Sequence, residues 1–511
     1  MITRAGRLRG FLAAALFALV APAAAQTRPS ILLVEVDDAD AGTLEVMRAY
    51  GLMPNLQLIV DRGVRFTRAF VSNSVCAPSR YSMLTGRYST GGVHCNAATC
   101  ATGEPGSVTA LNDQQTWPVW LQAAGYRTGH FGKYLNGYGR DPLAPPTSPS
   151  HPGYVPPGYT TWQGLQDDWT YFAYGFHIND NGATVVYPKT KGNHQTRVLT
   201  GRAASWISAN RGAAPLAVVF TPVVPHFTFD FVLAPLTGTY SDVFRFAVLP
   251  DVLDATLHAA AWAIAAQMPF YPSLALDFNE ADLSDKPLAL QVPLMSTVEI
   301  DRAATQYRLR MLSLLAVDDA LGQLVAAFGD DPLFVFVTSD NGQGFGQKRR
   351  GQKQVAFDWA TRVPFYAAGP GVVGPRVDGR LILNHDLAPT FVAIAGATAG
   401  AEMDGRSLLP LLMNTAPGWR TRVGLQHWEI PSMFDPPRYR GVRTGPTDPL
   451  PNRLLVEWDD ALELYDLNVD PGALESKHAL PAYAGELAIL RAQALALATC
   501  HGTACLAAEG F

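Results

Sequence analysis

Ile31-Leu32-Leu33-Val34-Glu35-Val36-Asp37-Asp38 is a short apolar run closed by two acids. Such a run predicts a strand buried in a parallel sheet, its carboxyl end delivering polar groups to a crevice. Leu333 to Thr338 has the same form and ends in Ser339-Asp340-Asn341-Gly342, so two strands deliver acidic clusters alike. Helical patterns surround them at Pro54–Arg62, Trp117–Ala124, Val198–Ala209 and Ile300–Phe328, with strand candidates at Ala217–Thr221 and Val363–Ala367. The alternation predicts an α/β fold with a central, mostly parallel sheet covered by helices. Residues 141–160, rich in Pro, Gly, Ser and Thr, predict a surface excursion, because the α/β pattern resumes after them. From about residue 411 the character changes. Short strand-like pieces at Val423–Trp428, Tyr439–Thr444, Arg453–Trp458 and Leu462–Leu467 precede an Ala/Leu-rich helix near Ala484–Ala498. The expected organisation is a large domain over 26–410 and a small C-terminal α+β domain over 411–511.

Residues 1–25 read as a signal peptide, with Arg4, Arg7 and Arg9 ahead of an apolar run from Phe11 to Val20 and small residues at Ala23 and Ala25. The run is too short to cross a bilayer, and no later stretch approaches ~20 uncharged residues, so the mature chain is expected to be soluble and exported, periplasmic or secreted. The 511-residue chain has a net charge of -5 with acids and bases mixed along it, which argues against nucleic acid as a partner. No repeat period is visible, which excludes a solenoid. The five cysteines fall at 76, 95, 100, 500 and 505. In an oxidising compartment Cys95 with Cys100 and Cys500 with Cys505 can each close a small loop, leaving Cys76 as the odd thiol.

Cys76-Ala77-Pro78-Ser79-Arg80, followed by Met83-Leu84-Thr85-Gly86-Arg87, is the most specific signal in the chain. It resembles the signature of the type I, formylglycine-dependent sulfatases, C-x-P-S-R-x-x-x-L-T-G-R, at every fixed position. The likeness continues through Met53-Pro54-Asn55-Leu56, Phe278-Asn279-Glu280, Asp386-Leu387-Ala388-Pro389-Thr390, Asp404-Gly405-Arg406-Ser407 and Glu463-Leu464-Tyr465-Asp466-Leu467. Lys133-Tyr134-Leu135-Asn136 and the Phe278–Pro287 stretch look most like the N-acetylglucosamine-6-sulfatase/arylsulfatase-like branch of bacterial sulfatases. The resemblance implies an alkaline-phosphatase-like fold and a sulfuric ester hydrolase acting on a sulfated sugar or aryl sulfate. It also implies maturation of Cys76 to formylglycine (3-oxoalanine) by a formylglycine-generating enzyme. The hydrated aldehyde would offer one hydroxyl to attack sulfur, and the second would lose its proton to release sulfate.

Asp37, Asp38, Asp340 and Asn341 are all oxygen donors, and with position 76 they suit a hard divalent cation. Ca2+ is the first choice and Mg2+ the second, whereas zinc is disfavoured for want of His and Cys at ligand spacing. Four cationic positions match the family's pattern: Arg80 in the signature, Lys133 in Gly125–Lys133, His226 after an apolar strand, and Lys353 ahead of Arg362-Val363-Pro364. The resemblance gives Lys133, His226 and Lys353 contact with the sulfate and leaves open whether His226 or Lys353 protonates the leaving alcohol. The remaining histidines, among them His94, His130, His177, His194, His385 and His478, read as structural or surface residues. Departures from the pattern stand at Leu135, where many sulfatases have histidine, at Gly346-Gln347-Lys348, at Phe357-Asp358 and at Arg197; all are expected near substrate subsites. The competing readings are a phosphate or phosphonate ester hydrolase of the same superfamily, and a catalytically inactive carbohydrate-binding relative.

Overall fold

The computed structural model describes residues 28–93, 107–190, 192–227, 260, 263–264, 267–351, 353–428 and 436–510. The predicted signal peptide, His94 and the Cys95–Cys100 pair lie outside them.

Eleven strands form one sheet: β1 (Ser30–Val36), β2 (Val64–Phe70), β3 (Arg127–Gly132), β4 (Thr161–Leu165), β5 (His177–Asp180), β6 (Ala183–Val186), β7 (Leu216–Thr221), β8 (Leu333–Ser339), β9 (Arg362–Ala368), β10 (Arg376–Asp378) and β11 (Ile382–Leu383). Their order is β10-β2-β9-β8-β1-β7-β3-β4-β5-β6, with β11 also on β2. The five central strands β8, β1, β7, β3 and β4 pair in parallel. β9 runs against β8 and β2, and β5 runs against β4 and β6, so the sheet is mixed at its flanks.

The apolar runs behave as two-sided strands. Leu32, Val34 and Val36 of β1 enter one core with Val218 and Phe220 of β7 and Val335 and Val337 of β8. Ile31 and Leu33 enter the other with Val219, Phe334 and Phe336. Alternate residues point to opposite faces, so a sheet covered on both sides needs apolar side chains at every position. The first layer is closed by helices α1 (Ala41–Ala49), α2 (Pro54–Val60) and residues of two longer helices described below; the second is closed by α3 (Cys76–Thr85) and α4 (Trp117–Ala123). α5 (Gln195–Asn210) supplies Leu199, Ala203 and Ile207 to the first layer. α6 (Thr297–Phe328) supplies a line of side chains from Ala303 to Phe328. α6 starts three residues before the sequence pattern predicts, because Ser296 and Glu299 form a reciprocal capping box there. Its apolar length serves the core: Asp318, midway along it, accepts the backbone N–H groups of Asn55 and Leu56 at the start of α2. α7 (Leu387–Ala395) packs Leu387, Phe391 and Ile394 into the second layer.

A second sheet, antiparallel in the order β12 (Arg422–His427), β13 (Tyr439–Thr444), β14 (Arg453–Trp458) and β15 (Leu462–Asp466), packs on helix α8 (Ala484–Thr499) through Val442, Leu455, Leu464, Leu490 and Leu497. Cys500 and Cys505 are joined by a disulfide just beyond α8.

Candidate active site

Parallel strands end on one edge, and this edge gathers the chemistry. Val36 pairs with Ser339, so the residues that follow, Asp37, Asp38 and Asp340, start side by side. The Asp38 N–H donates to Asp340 Oδ1 at 3.0 Å. Asp38 has a left-handed backbone, φ 69°, a conformation that L residues other than Asn and Asp rarely hold. Its carbonyl is fixed by Arg310, a buried arginine of α6. β2 reaches the same edge, and six residues after its end Cys76 opens α3, whose ten residues are all buried. Gly86 ends that helix with φ 73°, and a Cβ there would meet Met403 at 2.9 Å, so glycine is required to turn the chain. β3 contributes Lys133. The preceding Gly132 has φ 128° and lies so close to β7 that a Cβ would sit 2.1 Å from the Thr221 carbonyl oxygen, so any side chain there would displace Lys133. His226 follows β7, and Lys353 lies in the loop before β9.

These residues meet. The Lys353 ammonium is 2.9 Å from Cys76 Sγ and 2.5 Å from Asp38 Oδ1. Cys76 Sγ is 3.6 Å from Asp37 Oδ1, and Lys133 Nζ is 2.5 Å from Asp37 Oδ2. His226 Nε2 is 3.4 Å from Asp38 Oδ2. Ligand atoms of Asp37, Asp38, Cys76 and His226 all lie within 4.8 Å of one another. Asn341 donates its amide to Asp38 Oδ1 at 2.5 Å while its buried Oδ1 has no hydrogen-bond partner among the described residues. An orphan oxygen beside two converging carboxylates is a donor set that a hard cation satisfies. Asp340 stands one step back, with Oδ1 on the Asp38 amide and Oδ2 on Arg80.

Arg80 is the hub behind the site. Its Nε donates to Asp340 Oδ2 at 3.0 Å, and its guanidinium reaches Glu35 at 3.2 Å, Asp37 at 3.6 Å and the Lys133 carbonyl at 3.2 Å. Burial pushes Glu35 up to about 7, with Arg80 pulling against it. Asp340 is raised to about 6 by burial and by the charge of Asp37. Burial would raise Asp37 too, but Lys133, His226, Arg80 and Lys353 together hold it far below the usual carboxylate range. The Cys76 thiol is pushed up to about 12 by burial, with Asp37 adding to it. Burial works against the charge on Lys353, and Asp38 more than restores it. Burial lowers His226 to about 4 despite the neighbouring acids.

Three residues at this edge carry no motif that sequence inspection can detect. Glu35 is masked by its place in an apolar run, and Arg310 by its place in a core helix. Tyr171 lies with its ring 4.9 Å from Lys133 Nζ and 4.6 Å from the His226 ring, separated in sequence from both. Several departures fall elsewhere than expected. Leu135 belongs to the apolar layer, and Asn136 donates to the Tyr171 hydroxyl at 3.0 Å. Lys348 is buried, pairs with Glu280 at 2.9 Å and donates to the Gly472 and Ala473 carbonyls, so it fastens the two sheets together instead of facing a substrate. Phe357 is likewise buried, in the core beneath the second sheet. His130, stacked on Trp162 at 4.4 Å, and His385, 4.5 Å from the Tyr88 ring, are core residues.

A mixed sheet sandwiched by helices, with acids, a buried Cys76, three cations and a histidine at the carboxyl edge, is the setting of an alkaline-phosphatase-like hydrolase. The sulfatase family model matches residues 29–397, and a second, described as N-sulphoglucosamine sulphohydrolase, C-terminal, matches 346–498. The chain belongs to the sulfatase family. An arylsulfatase of Volvox carteri is 28% identical over 90% of this chain and 73% of its own length. An N-acetylglucosamine-6-sulfatase of Capra hircus is 27% identical over 94% and 85%. An extracellular sulfatase SULF-1 homolog of Drosophila melanogaster is 28% identical over 79% of this chain, which spans 33% of that relative. The chain spans 53% of the Caenorhabditis elegans Sulf-1 homolog, so these two relatives are much longer. A structure described as a complex with its substrate D-glucosamine-2-N,6-O-disulfate superposes with a TM-score of 0.66 at 22% identity, covering 92% of this chain and 97% of that one. A phosphonate monoester hydrolase from Silicibacter pomeroyi superposes with 0.63 at 19%, covering 91% and 94%, so the fold alone does not separate sulfate from phosphonate.

Proposed function

We propose that this chain is an exported hydrolase that converts a sulfate ester, a sugar sulfate before an aryl sulfate, to alcohol and inorganic sulfate. The observation that carries the reading is Cys76 buried at a helix start, 2.9 Å from the Lys353 ammonium and 3.6 Å from the Asp37 carboxylate. A thiol pushed up to about 12 is almost wholly protonated near neutral pH and a poor nucleophile, so the reading assigns the chemistry to its formylglycine form and not to the cysteine itself. In that form it would supply a hydrate hydroxyl as nucleophile and an aldehyde to which it can revert, while a divalent cation, Ca2+ before Mg2+, held by Asp37, Asp38, Asp340, Asn341 and position 76 would offset charge on the sulfate oxygens.

The chain's own residues do the rest. Lys133 and His226, both buried, and the partly exposed Lys353 surround the position proposed for the sulfate, where the two ammonium charges act with less screening than at the surface. His226 Nδ1 lies 2.9 Å from the Phe227 carbonyl, which can only accept, so Nδ1 carries a hydrogen and Nε2, 3.4 Å from Asp38 Oδ2, is the nitrogen that faces the site. Asp38 raises Lys353 and burial lowers His226, directions that support Lys353 as donor to the leaving oxygen and His226 as acceptor of a proton in the later step. Arg80 orients the acids. The catalytic body is assigned to residues 26–410 and the small unit to 411–511, with residues 1–25 as the export signal; the extracellular description of two relatives supports export.

Peptide mass spectrometry across Ala69–Arg80, on protein from an exporting host with its own maturation machinery, should find an aldehyde at position 76. Rates on matched aryl sulfate and aryl phosphate should favour sulfate. Fully active protein with an unmodified cysteine, or a preference for phosphate, would move the phosphohydrolase reading ahead.

A further inference from the structure

We propose a second anion site on this molecule, at the arginine-lined cavity between the main sheet and the C-terminal sheet, which takes a sulfate or carboxylate substituent of an extended acidic glycan. The cavity, ≈ 390 Å³, is lined by Arg68, Arg362 and Arg443 with Thr67, Phe70 and Asp358. Three guanidinium groups face one carboxylate. Asp358 is shared by Arg362 at 3.4 Å and Arg443 at 3.3 Å, and both hold its carboxyl below the usual range even though burial would raise it. Arg68 makes no hydrogen bond or ion pair among the described residues. Its pKa is lowered by partial burial and then by the nearby charges of Arg443 and Arg362.

A half-buried arginine set among like charges costs the fold stability, and two positive charges in excess of Asp358 give the cavity a standing attraction for an anion. Guanidinium forks match the two-oxygen edge of a sulfate or carboxylate better than an ammonium would. The cavity is open, since the Arg362 side chain is 40% exposed. It is also connected. A neighbouring cavity of ≈ 290 Å³ shares Asp358, Arg362, Leu467 and Pro471 with it and extends to Asp40, Ala41 and Gly42, which follow Asp38. The two cavities together offer an extended sugar chain a longer contact than one cavity alone, with its acidic substituent held at the arginines. The inference rests on the sulfate-ester reading for its choice of glycan, but binding can be measured without turnover.

The test compares wild type with Arg68→Ala and Arg68→Lys, using Arg62→Ala, an exposed arginine elsewhere, as control. Binding to heparin, as a polysulfated probe, is titrated calorimetrically at two salt concentrations; turnover is followed on 4-nitrophenyl sulfate. Arg68→Ala should weaken heparin binding about 5- to 10-fold with a shallower salt dependence, Arg68→Lys should recover the salt dependence but only part of the affinity, and aryl sulfate turnover should stay within about twofold. Melting temperature should hold or rise in Arg68→Ala, because repulsion is relieved and no bond is lost. Inorganic sulfate should compete with heparin only weakly; competition at equal charge concentration would assign the cavity to the free ion and overturn the glycan. Unchanged heparin affinity, or a parallel fall in Arg62→Ala, would overturn the site. Protein inactive on every sulfate ester yet showing the Arg68 effect would sink the enzymatic reading and leave the site standing.

Discussion

Two buried networks of acids and bases lie on this molecule, and they are built to opposite ends. At the joint between the main body and the C-terminus, Asp386 meets Arg420 through two bonds of 2.6 Å and also accepts the Leu383 and Arg406 backbone N–H groups. Glu509 beside it takes the Tyr88 hydroxyl at 3.0 Å on one oxygen and lies 2.9 Å from Arg420 and 3.2 Å from Arg406 on the other. Every carboxylate oxygen there is engaged, and the cations are arginines, whose planar forks fix geometry. At the catalytic edge the contacts to Asp37 and Asp38 come mainly from lysine ends and one imidazole, while Asn341 Oδ1 and both Glu35 oxygens lack a hydrogen bond. A lysine ammonium is a point charge on a flexible stem and can pass from a carboxylate to an incoming sulfate. At the joint the carboxylates are saturated and the groups without a hydrogen bond include nitrogens, Arg420 Nε and both His385 ring nitrogens; at the edge they include the oxygens of Glu35 and Asn341, which leaves it able to bind a cation.

The sharpest way to break this contrast is at position 76. Cys76→Ala should lower kcat by about 10^4-fold or more while moving the melting temperature by no more than about 2 °C. Cys76→Ser should be equally inactive, since a serine sulfate ester cannot revert to an aldehyde. Stopped assays on aryl sulfate with parallel thermal melts check both. Retained turnover in either variant would refute the nucleophile assignment. The joint should respond in the reverse sense: Arg420→Met strands two buried carboxylates and should cost about 3 to 5 kcal/mol in urea unfolding, with turnover per folded molecule unchanged. A loss of kcat in that variant, at full folding, would mean that the two networks communicate.

Divalent cation should separate the networks by a smaller margin. Chelation should abolish activity and lower stability by about 2.7 kcal/mol relative to protein at a hundred times the cation's Kd. Asp38→Asn should lose this cation-dependent gain in melting temperature, whereas Arg420→Met should keep it. An equal response in the two variants would place the cation elsewhere than the edge of β1 and β8.

The same contrast governs what the sequence discloses. Strands β1, β7 and β8 are legible because each is an apolar run that a two-sided sheet demands, and Asp37, Asp38, Asp340 and Asn341 are legible because they end such runs. Cys76, Lys133, His226 and Lys353 stand in contiguous motifs. Strands β5 and β6 are short, and β6 is largely exposed, so neither carries enough periodic signal. Glu35 and Arg310 are invisible for a different reason: each is a charge inside an apolar element, and its role exists only because Arg80 or the Asp38 carbonyl folds against it. Lys348 misleads in the opposite way, since a lysine beside a motif reads as a substrate contact until Glu280 and the Ala473 carbonyl are found around it. Proximity in sequence finds acids at strand ends; it cannot find partners supplied by packing.

The smallest effect concerns protons at the joint. His385 is fully buried against Tyr88, and burial holds it down at about 3, with Asp386 pulling weakly the other way. Its folded pKa thus lies below the unfolded value of about 6.5. The unfolded chain therefore binds the extra proton first, and stability falls as pH drops below about 6.5, by up to about 1.4 kcal/mol per pH unit, until the folded pKa is reached. His130 is held down at about 3 and His226 at about 4 as well, so the wild type should carry slopes from all three. Replacing His385 with Asn should remove one of them: the two proteins' unfolding free energies, measured from pH 7 to pH 5, should converge on acidification by a few tenths to about 2 kcal/mol. Parallel curves would mean that His385 is already charged in the folded protein and paired with Glu509, 4.0 Å away. The joint would then hold one more cation than its geometry suggests, and its saturation would be electrostatic as well as steric.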